Sequence, residues 1–151
     1  MADKIGGIAP ALDIVTAVHP SAIIGKDVKI GKGTVIMPGA IVNAGSRIGD
    51  YCVLNTNSSL GHNGAMEGFS SISSGVCTGW NLVLGRFSAI SLGADVIENI
   101  TIGEHSLIGA GSLVVRDVGD LSVVFGSPAR FIRKRNVRDP YLRGDTDPIP
   151  T

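Results

Sequence analysis

The segment NTNSSLGHN, residues 55–63, contains a single histidine, His62, in a run of small polar residues. An imidazole is partly deprotonated near neutral pH, so His62 can act as a general base that takes a proton from an attacking amine or hydroxyl. A histidine in a glycine-containing turn can equally be a solvated surface residue. The flanking residues leave both interpretations open, so the elements that position His62 have to decide between them.

A basic run, RFIRKRNVR at residues 130–138, is the second group with chemical potential. Guanidinium groups bind phosphate oxygens through paired hydrogen bonds, so Arg130 and the neighbouring Lys134 are candidate phosphate ligands. The same charges can form the solvated face of a terminal helix. Both interpretations stay open at this point.

Composition excludes several classes of function. The 151 residues include 13 basic and 13 acidic side chains, so no overall charge favours nucleic acid or an anionic membrane. Cys52 and Cys77 form no CxxC motif and no cluster with histidines, which argues against a disulfide framework or a zinc site. The N-terminus lacks the features of a signal peptide, and no apolar run is long enough to span a membrane. We therefore expect one cytoplasmic domain without a metal.

Apolar residues recur at every sixth position between Val18 and Val114, and only Thr78 interrupts the series. Small residues often stand two positions before the apolar residue, and glycine often follows it. The members are Val18, Ile24, Ile30, Ile36, Val42, Ile48, Leu54, Leu60, Met66, Ile72, Leu84, Ile90, Val96, Ile102, Ile108 and Val114. A period of six fits neither a helical face nor a long alternating strand. It indicates short strands separated by turns.

This period predicts an all-β fold, a parallel β-helix of hexapeptide repeats whose strands turn apolar residues inward. Because the phase does not slip before Val114, the coils should carry no inserted loop. We expect a lead-in at residues 1–17, the β-helix at 18–129, and a short C-terminal helix or tail at 130–151.

Three hexads per coil would bring equivalent residues together every 18 positions. One of the resulting outward columns is small and apolar: Val35, Val53, Ser71, Ala89 and Leu107. An apolar stripe on a rigid solenoid usually marks an association surface, so we predict that it forms a homo-oligomer interface. A harmless apolar patch is the alternative.

The chain resembles the left-handed β-helix acyltransferases, and most closely the branch that acetylates sugars in bacterial surface polysaccharide pathways, such as sialic acid O-acetyltransferases and bacillosamine N-acetyltransferases. The similar segments are VHPSAIIGKDVKIGKGTVIMPGAIV, VLNTNSSLGHN, ITIGEHSLIGAGSLVVRDV and VFGSPARFIRK, and the resemblance covers about four fifths of the chain. It implies a left-handed coil, a homotrimer, acetyl-CoA as cosubstrate in a groove between subunits, and a sugar or sugar nucleotide as acceptor.

The resemblance also implies catalytic residues. His62 matches the family's catalytic histidine, and Asn55 matches the asparagine that precedes it in an asparagine–threonine pair. The backbone amide one coil later, at Trp80, is implied to bind the thioester oxygen.

Cofactor contacts follow from the same resemblance. The segment Gly109, Ala110 and Gly111 is implied to line the pantetheine arm of acetyl-CoA, and Leu92, one coil below Ala110, is implied to lie on the same wall. The basic run follows this groove, so its Arg130 and Lys134 become candidate ligands for the CoA phosphates.

The sequence departs from the family's pattern at three points. Asn63 follows the histidine where relatives commonly have an acidic residue, so a carboxylate partner would be Glu67 or Glu98. Ser71 stands where some relatives have a second histidine. Only 17 residues precede Val18, so we expect the N-terminal nucleotide-sugar domain of close relatives to be missing. The chain is then either a shortened form or an enzyme with a different acceptor.

Three functional classes compete: a CoA-dependent acetyltransferase, a catalytically inert trimeric β-helix scaffold, and a metal enzyme like the β-helical carbonic anhydrases. The metal enzyme needs three clustered histidines. His19, His62 and His105 are each 43 residues apart, which is not a multiple of 18, so they cannot stack in one column. The acetyltransferase is the main prediction, and the scaffold is its alternative.

Overall fold

The computed structural model describes residues 13–137 and 139. These residues form three sheets that run along one solenoid. They contain no helix, and hence none that could cross a lipid bilayer. The predicted all-β class and hexad coils are confirmed for this part of the chain.

Sheet A consists of β1 (Ala17–Val18), β4 (Val35–Ile36), β7 (Val53–Leu54), β10 (Ser71–Ile72), β13 (Ala89–Ile90), β16 (Leu107–Ile108), β18 (Ser122–Phe125) and β19 (Arg130–Lys134). Sheet B consists of β2 (Ile23–Ile24), β5 (Ile41–Val42), β8 (Ser59–Leu60), β11 (Cys77–Thr78), β14 (Asp95–Val96) and β17 (Leu113–Val114). Sheet C consists of β3 (Lys29–Ile30), β6 (Arg47–Ile48), β9 (Ala65–Met66), β12 (Val83–Leu84) and β15 (Thr101–Ile102). Neighbouring strands pair in parallel with partners 18 residues apart, such as Val35 with Val53. One coil therefore takes three hexads, as the period predicts.

The interior is the apolar series itself. In the central coils each two-residue strand buries its second residue and turns its first residue outward, so Ile48 is 3% exposed whereas Arg47 is exposed. The small residue two positions before the apolar one is often buried too, and where it is serine or threonine its hydroxyl donates to a backbone carbonyl of the same or the next coil. Ser46 Oγ, for example, donates to the Gly61 carbonyl at 2.9 Å. Among the described residues every buried side-chain polar atom has a hydrogen-bond partner, so these hydroxyls cost little free energy.

Three corners join the sheets. The AB corner follows each sheet A strand (for example residues 55–58), the BC corner follows each sheet B strand (61–64), and the CA corner follows each sheet C strand (67–70). Every sixth residue from Asp27 to Gly111 adopts a left-handed backbone, with φ between 53° and 75°. Asparagine and glycine tolerate this conformation best, which explains why the repeat is rich in both.

The repeat shortens at its C-terminal end. Ile108 pairs with Val124, 16 residues later, so two residues are missing from the last coil. Of the predicted helix or tail at residues 130–151, the helix does not form at its start, because β19 is a strand antiparallel to β18. The free edge of β18 offers unpaired backbone groups, and a segment rich in apolar residues such as Phe131 and Ile132 satisfies them as a strand. The predicted lead-in before Asp13 and the tail beyond Asp139 lie outside the described residues.

Candidate functional site

His62 and Trp80 lie in consecutive coils at the BC corner. The amide of Asn81 donates to the His62 carbonyl at 2.8 Å, which fixes the predicted one-coil register between the two residues. Both side chains are exposed, Trp80 to 56%. In the described part of the chain, no hydrogen bond or ion pair engages the His62 imidazole, and the Trp80 amide has no acceptor. Both groups are therefore free to meet a ligand.

The backbone that carries His62 is held tightly. A side chain at Gly61 would collide with the Gly79 carbonyl of the next coil. The Gly61 carbonyl accepts hydrogen bonds from Ser46 Oγ at 2.9 Å and from the Gly64 amide at 3.2 Å. Asn63 occupies the left-handed position with φ of 55°. Asparagine tolerates this conformation, but Asp27 holds the same corner position with φ of 58°, so the turn geometry does not require an asparagine in place of the acidic residue that the resemblance suggests.

Neither predicted carboxylate partner contacts His62. Glu98 lies at the same corner two coils above, which is about 10 Å at about 4.8 Å per coil. Glu67 lies at the CA corner. Among the described residues the one ion pair joins Arg133 to Asp139. The structure therefore does not bring an acid to His62 within one chain.

The AB corner carries the predicted pantetheine wall. The Gly111 amide donates to the Leu92 carbonyl at 2.9 Å, so Leu92 and the segment of Gly109, Ala110 and Gly111 lie one coil apart on one surface. Leu92 is 60% exposed, and a Cβ built on Gly111, whose φ is 64°, meets no atom within 4 Å. This is an open wall on which a slender chain can approach the backbone.

The catalytic and cofactor residues lie on different corners of one chain. Sheet B separates them, and the six residue steps from Ala110 to Arg116 span at most about 20 Å at about 3.3 Å per step. Asn55 also lies at the AB corner, where its Oδ1 accepts the Thr56 amide at 2.8 Å. The structure therefore places Asn55 with the predicted pantetheine wall and not beside His62.

The two predicted phosphate ligands, Arg130 and Lys134, lie at opposite ends of strand β19. Arg130 pairs with Phe125, whose ring packs against Gly109, so the structure brings Arg130 to the AB corner. Lys134 pairs with Ser122 at the other end of the strand, and its Nζ donates to the Asp120 carbonyl at 3.0 Å. Of the two predicted phosphate ligands, only Arg130 lies beside the predicted pantetheine wall.

The other histidines occupy the other corners. His19 is at the AB corner and His105 at the CA corner, where its ring stacks on Phe87 with centroids 4.7 Å apart. The expectation that the three histidines cannot share a column is confirmed. Within residues 13–137 and 139, no group of three or more His, Cys, Asp or Glu side chains is arranged to hold a metal ion.

Two cavities flank the C-terminal segment. One, of about 230 Å³, lies at the end of the solenoid between Val118, Val124 and Phe131. The other, of about 240 Å³, lies between the CA corner and residues Arg135 and Val137. Neither contains His62 or Trp80. The open corners, rather than an enclosed pocket, are the candidate site in this chain.

The second cavity touches the apolar column predicted to be an association surface. Ser71 and Ala89 line it, and Ala89 is only 5% exposed. Arg135 and Val137 of the same chain lie on its opposite side. Part of this column therefore faces the chain's own C-terminal segment.

One residue near the site was overlooked in the sequence. Thr78 is buried inside the solenoid beside the BC corner. Its hydroxyl accepts a hydrogen bond at 3.1 Å from the amide of Gly61, the residue directly before His62. The signal that could have revealed it is the single break in the apolar series at this position.

Comparisons with known proteins agree with the fold of this chain. Residues 27–62 match the family model "Bacterial transferase hexapeptide (six repeats)". No curated protein matches the chain significantly in sequence. Solved structures do match, and their similarity extends over most of the chain.

The acetyltransferase domain of PglB from Neisseria gonorrhoeae is 30% identical with a TM-score of 0.82, and the match covers 87% of this chain and 64% of that one. A mutant of perosamine N-acetyltransferase from Caulobacter crescentus, in complex with CoA and GDP-perosamine, is 30% identical with a TM-score of 0.83 and the same coverage. The chain thus spans 64% of the length of both proteins. AntD, an N-acyltransferase from Bacillus cereus, shares the fold at 18% identity, with a TM-score of 0.75 and 91% of each chain covered.

These matches confirm the fold class, a left-handed parallel β-helix of hexapeptide repeats. They also confirm the resemblance to the sugar acetyltransferase branch of hexapeptide-repeat proteins. The roles of individual site residues stay predictions.

Proposed function

Because this chain is a hexapeptide-repeat protein with the fold of sugar N-acetyltransferases, we propose that it transfers an acetyl group from acetyl-CoA to the amine or hydroxyl of a sugar-like acceptor. The observation that carries the proposal is the likeness, at 30% identity over 87% of the chain, to an enzyme solved with CoA and GDP-perosamine. The exposed, unpartnered imidazole of His62 supports it.

In the proposed reaction, His62 takes the proton from the acceptor as its nitrogen or oxygen attacks the thioester carbonyl. The Trp80 amide donates a hydrogen bond to the oxyanion that develops on that carbonyl. The C–S bond then breaks, and the imidazolium returns the proton to the departing thiolate. No metal takes part. Asn55 remains a candidate for orienting the acceptor.

Acetyl-CoA would bind along the AB corner. Gly109, Ala110 and Gly111 leave room for the pantetheine arm, and exposed Leu92 gives it an apolar contact. Arg130, at the end of the same corner, carries a guanidinium suited to a phosphate. Lys134 lies at the other end of the strand, where its Nζ donates one of its three N–H groups to the Asp120 carbonyl, so it is the weaker candidate for a CoA phosphate.

We further propose that the active unit is a homotrimer. In one chain the His62 corner and the pantetheine wall lie on opposite edges of sheet B. A second copy that presents its AB corner to the BC corner of the first would complete the site. Light scattering at micromolar concentration should return the mass of three chains, and the mass of one chain would overturn this proposal.

The direct test is a screen of amino sugars and nucleotide-linked amino sugars with acetyl-CoA. Cys77 is exposed and free, so thiol reagents would give a background signal. Loss of thioester absorbance, with mass spectrometry of the acetylated product, avoids this problem. An acetylated sugar supports the proposal. Absence of both transfer and acetyl-CoA binding would favour the inert trimeric scaffold.

Calorimetry can test the cofactor wall separately. The change Ala110→Phe should weaken acetyl-CoA binding by about tenfold or more, because the ring would fill the path of the pantetheine arm. Ser74→Phe changes the equivalent turn position two coils below and should leave the affinity for acetyl-CoA unchanged. Neither variant should change the melting temperature. Equal affinity in the two variants would contradict the assignment.

A further inference from the structure

Thr78 is the polar exception in an otherwise apolar interior. It is 6% exposed, and a buried hydroxyl is unfavourable unless it forms hydrogen bonds. Its Oγ1 forms two, both to the coil below. It donates to the Ser59 carbonyl at 3.2 Å and accepts the Gly61 amide at 3.1 Å. The hydroxyl therefore bridges the two residues on either side of Leu60.

This bridge replaces a regular bond of the solenoid. At the equivalent position of other coils, the amide donates to the backbone carbonyl of the next coil, as Asn43 does to Leu60 at 3.0 Å and Gly79 to Val96 at 2.8 Å. The Gly61 amide instead donates to a side chain. Strands β8 and β11 accordingly pair only through Ser59 and Cys77. The ladder of sheet B is thus interrupted where the chain enters the turn of His62.

We propose that Thr78 is a positioning residue that sets the direction of the His62 imidazole. The Gly61 amide, in the peptide group between Leu60 and Gly61, is held by Thr78 of the coil above, and the Gly61 carbonyl, in the peptide group before His62, is held by Ser46 of the coil below. The peptide after His62 is held by the Asn81 amide. Replacing the hydroxyl with a methyl group frees the Gly61 amide to join the regular ladder, which turns the peptide and redirects the imidazole. The expected fall in kcat rests on the proposed acetyl transfer, whereas the expected change in the direction of the imidazole does not.

The matched variants are Thr78→Val and Thr78→Ser. Valine keeps the shape and restores the apolar series, so the melting temperature should stay equal or rise. The kcat for acetyl transfer should fall on the order of ten- to a hundred-fold, with KM for acetyl-CoA unchanged, because a displaced base loses alignment with the acceptor. Serine keeps the hydroxyl and should retain most of kcat. If valine retains kcat, or if serine loses as much as valine, the proposal is overturned.

A second measurement does not depend on any activity. Long-range ¹H–¹⁵N spectra of the ligand-free protein report the imidazoles of His19, His62 and His105. Thr78→Val should move only the His62 signals, and Thr78→Ser should leave all three in place. Unmoved His62 signals would overturn the proposal even in an active enzyme. If the wild type acetylates no acceptor, the proposed function fails, while these spectra still decide whether Thr78 sets the His62 turn.

Discussion

The BC and CA corners use the same backbone turn for different purposes. Their left-handed residues have nearly equal φ, 55° at Asn63 and 61° at Phe69. At the CA corner the rings of Tyr51, Phe69, Phe87 and His105 stack with centroids 4.7 to 5.1 Å apart. At the BC corner three successive left-handed positions carry asparagine, Asn63, Asn81 and Asn99, and the exposed residues before them differ in every coil.

The difference follows from the spacing of the coils. Strands lie about 4.8 Å apart, so a column of flat rings must stack, and each aromatic pair adds about 0.5 to 1.5 kcal/mol. His62, Trp80 and Glu98 repeat at the same spacing, but unlike side chains form no common stack. One corner therefore stabilises the solenoid, and the other leaves its side chains free for a ligand.

The C-terminal segment strengthens the contrast. Arg135 is 9% exposed, and its guanidinium donates to the His105 carbonyl at 3.4 Å and to the Asp139 carbonyl at 3.0 Å. Its backbone amide donates to the Leu121 carbonyl at 2.7 Å. The CA corner is thus fastened by the chain's own tail. Nothing in the described residues covers His62 in the same way.

The strongest test exchanges the two corner histidines for alanine. His62→Ala should lower acetyl transfer by about 10² to 10⁴ and leave melting temperature and acetyl-CoA affinity nearly unchanged, because it removes only the base. His105→Ala should do the reverse, with full activity and a lower melting temperature. Rates of thioester loss and thermal melts decide it. Equal rates for wild type and His62→Ala would remove this residue from the mechanism.

The next largest effect should come from the middle of the aromatic stack. Phe69→Ala removes contacts to both Tyr51 and Phe87 and should cost about 2 to 3 kcal/mol of unfolding free energy, measured by denaturant titration. Phe69→Gly loses the same contacts but relieves about 1 kcal/mol of left-handed strain, so it should be the milder change. A Phe69→Ala variant as stable as wild type would show that the stack does not stabilise the corner.

A smaller effect is expected from adding an acid to the BC corner. Asp27 shows that aspartate fits this left-handed position, with φ of 58°. Asn63→Asp should raise acetyl transfer on the order of tenfold, because an adjacent carboxylate can orient the His62 imidazole. Asn99→Asp, at the same left-handed position two coils above, is the matched control, because a carboxylate there still accepts the hydrogen bond from Asn81 Nδ2, and it should leave the rate of transfer nearly unchanged. An equal or lower rate for Asn63→Asp would mean that an acid here does not assist His62.

The smallest effect concerns the tail that fastens the CA corner. The backbone amide of Asn136 and the guanidinium of Arg133 bond to Asp139 and hold its pKa below its usual value of 3.8. A carboxyl whose pKa is lower in the folded chain stabilises the fold above pH 3.8 and loses this contribution as the pH falls through the folded pKa.

The variant Asp139→Asn should therefore melt slightly below wild type at neutral pH, and the difference should vanish in acid. In this variant, hydrogen exchange of the backbone amide should become faster at Arg135 and stay unchanged at Asn81. A difference in melting temperature that is independent of pH would contradict the role of the carboxylate.

Much of the fold was predictable because a solenoid repeats local information. The six-residue phase places Ile48 inside and Arg47 outside without knowledge of any distant contact. Because the phase never slips, it also sets His62 and Trp80 one coil apart at one corner. The departure of β19 from the predicted helix was not predictable in this way, because that segment lies after the repeat and its partner is the free edge of β18.

By itself, the sequence determined the periodic features of this protein: the inward series, the turns, and the corner on which each side chain stands. Only the tertiary structure decided which neighbours interact across coils. It stacked Phe69 between two rings, gave the Thr78 hydroxyl the Gly61 amide, and paired β19 with the free edge of β18. The physical reason is that a period determines position along one chain, whereas hydrogen bonds and ring contacts depend on the identity of the residues that the coils bring together.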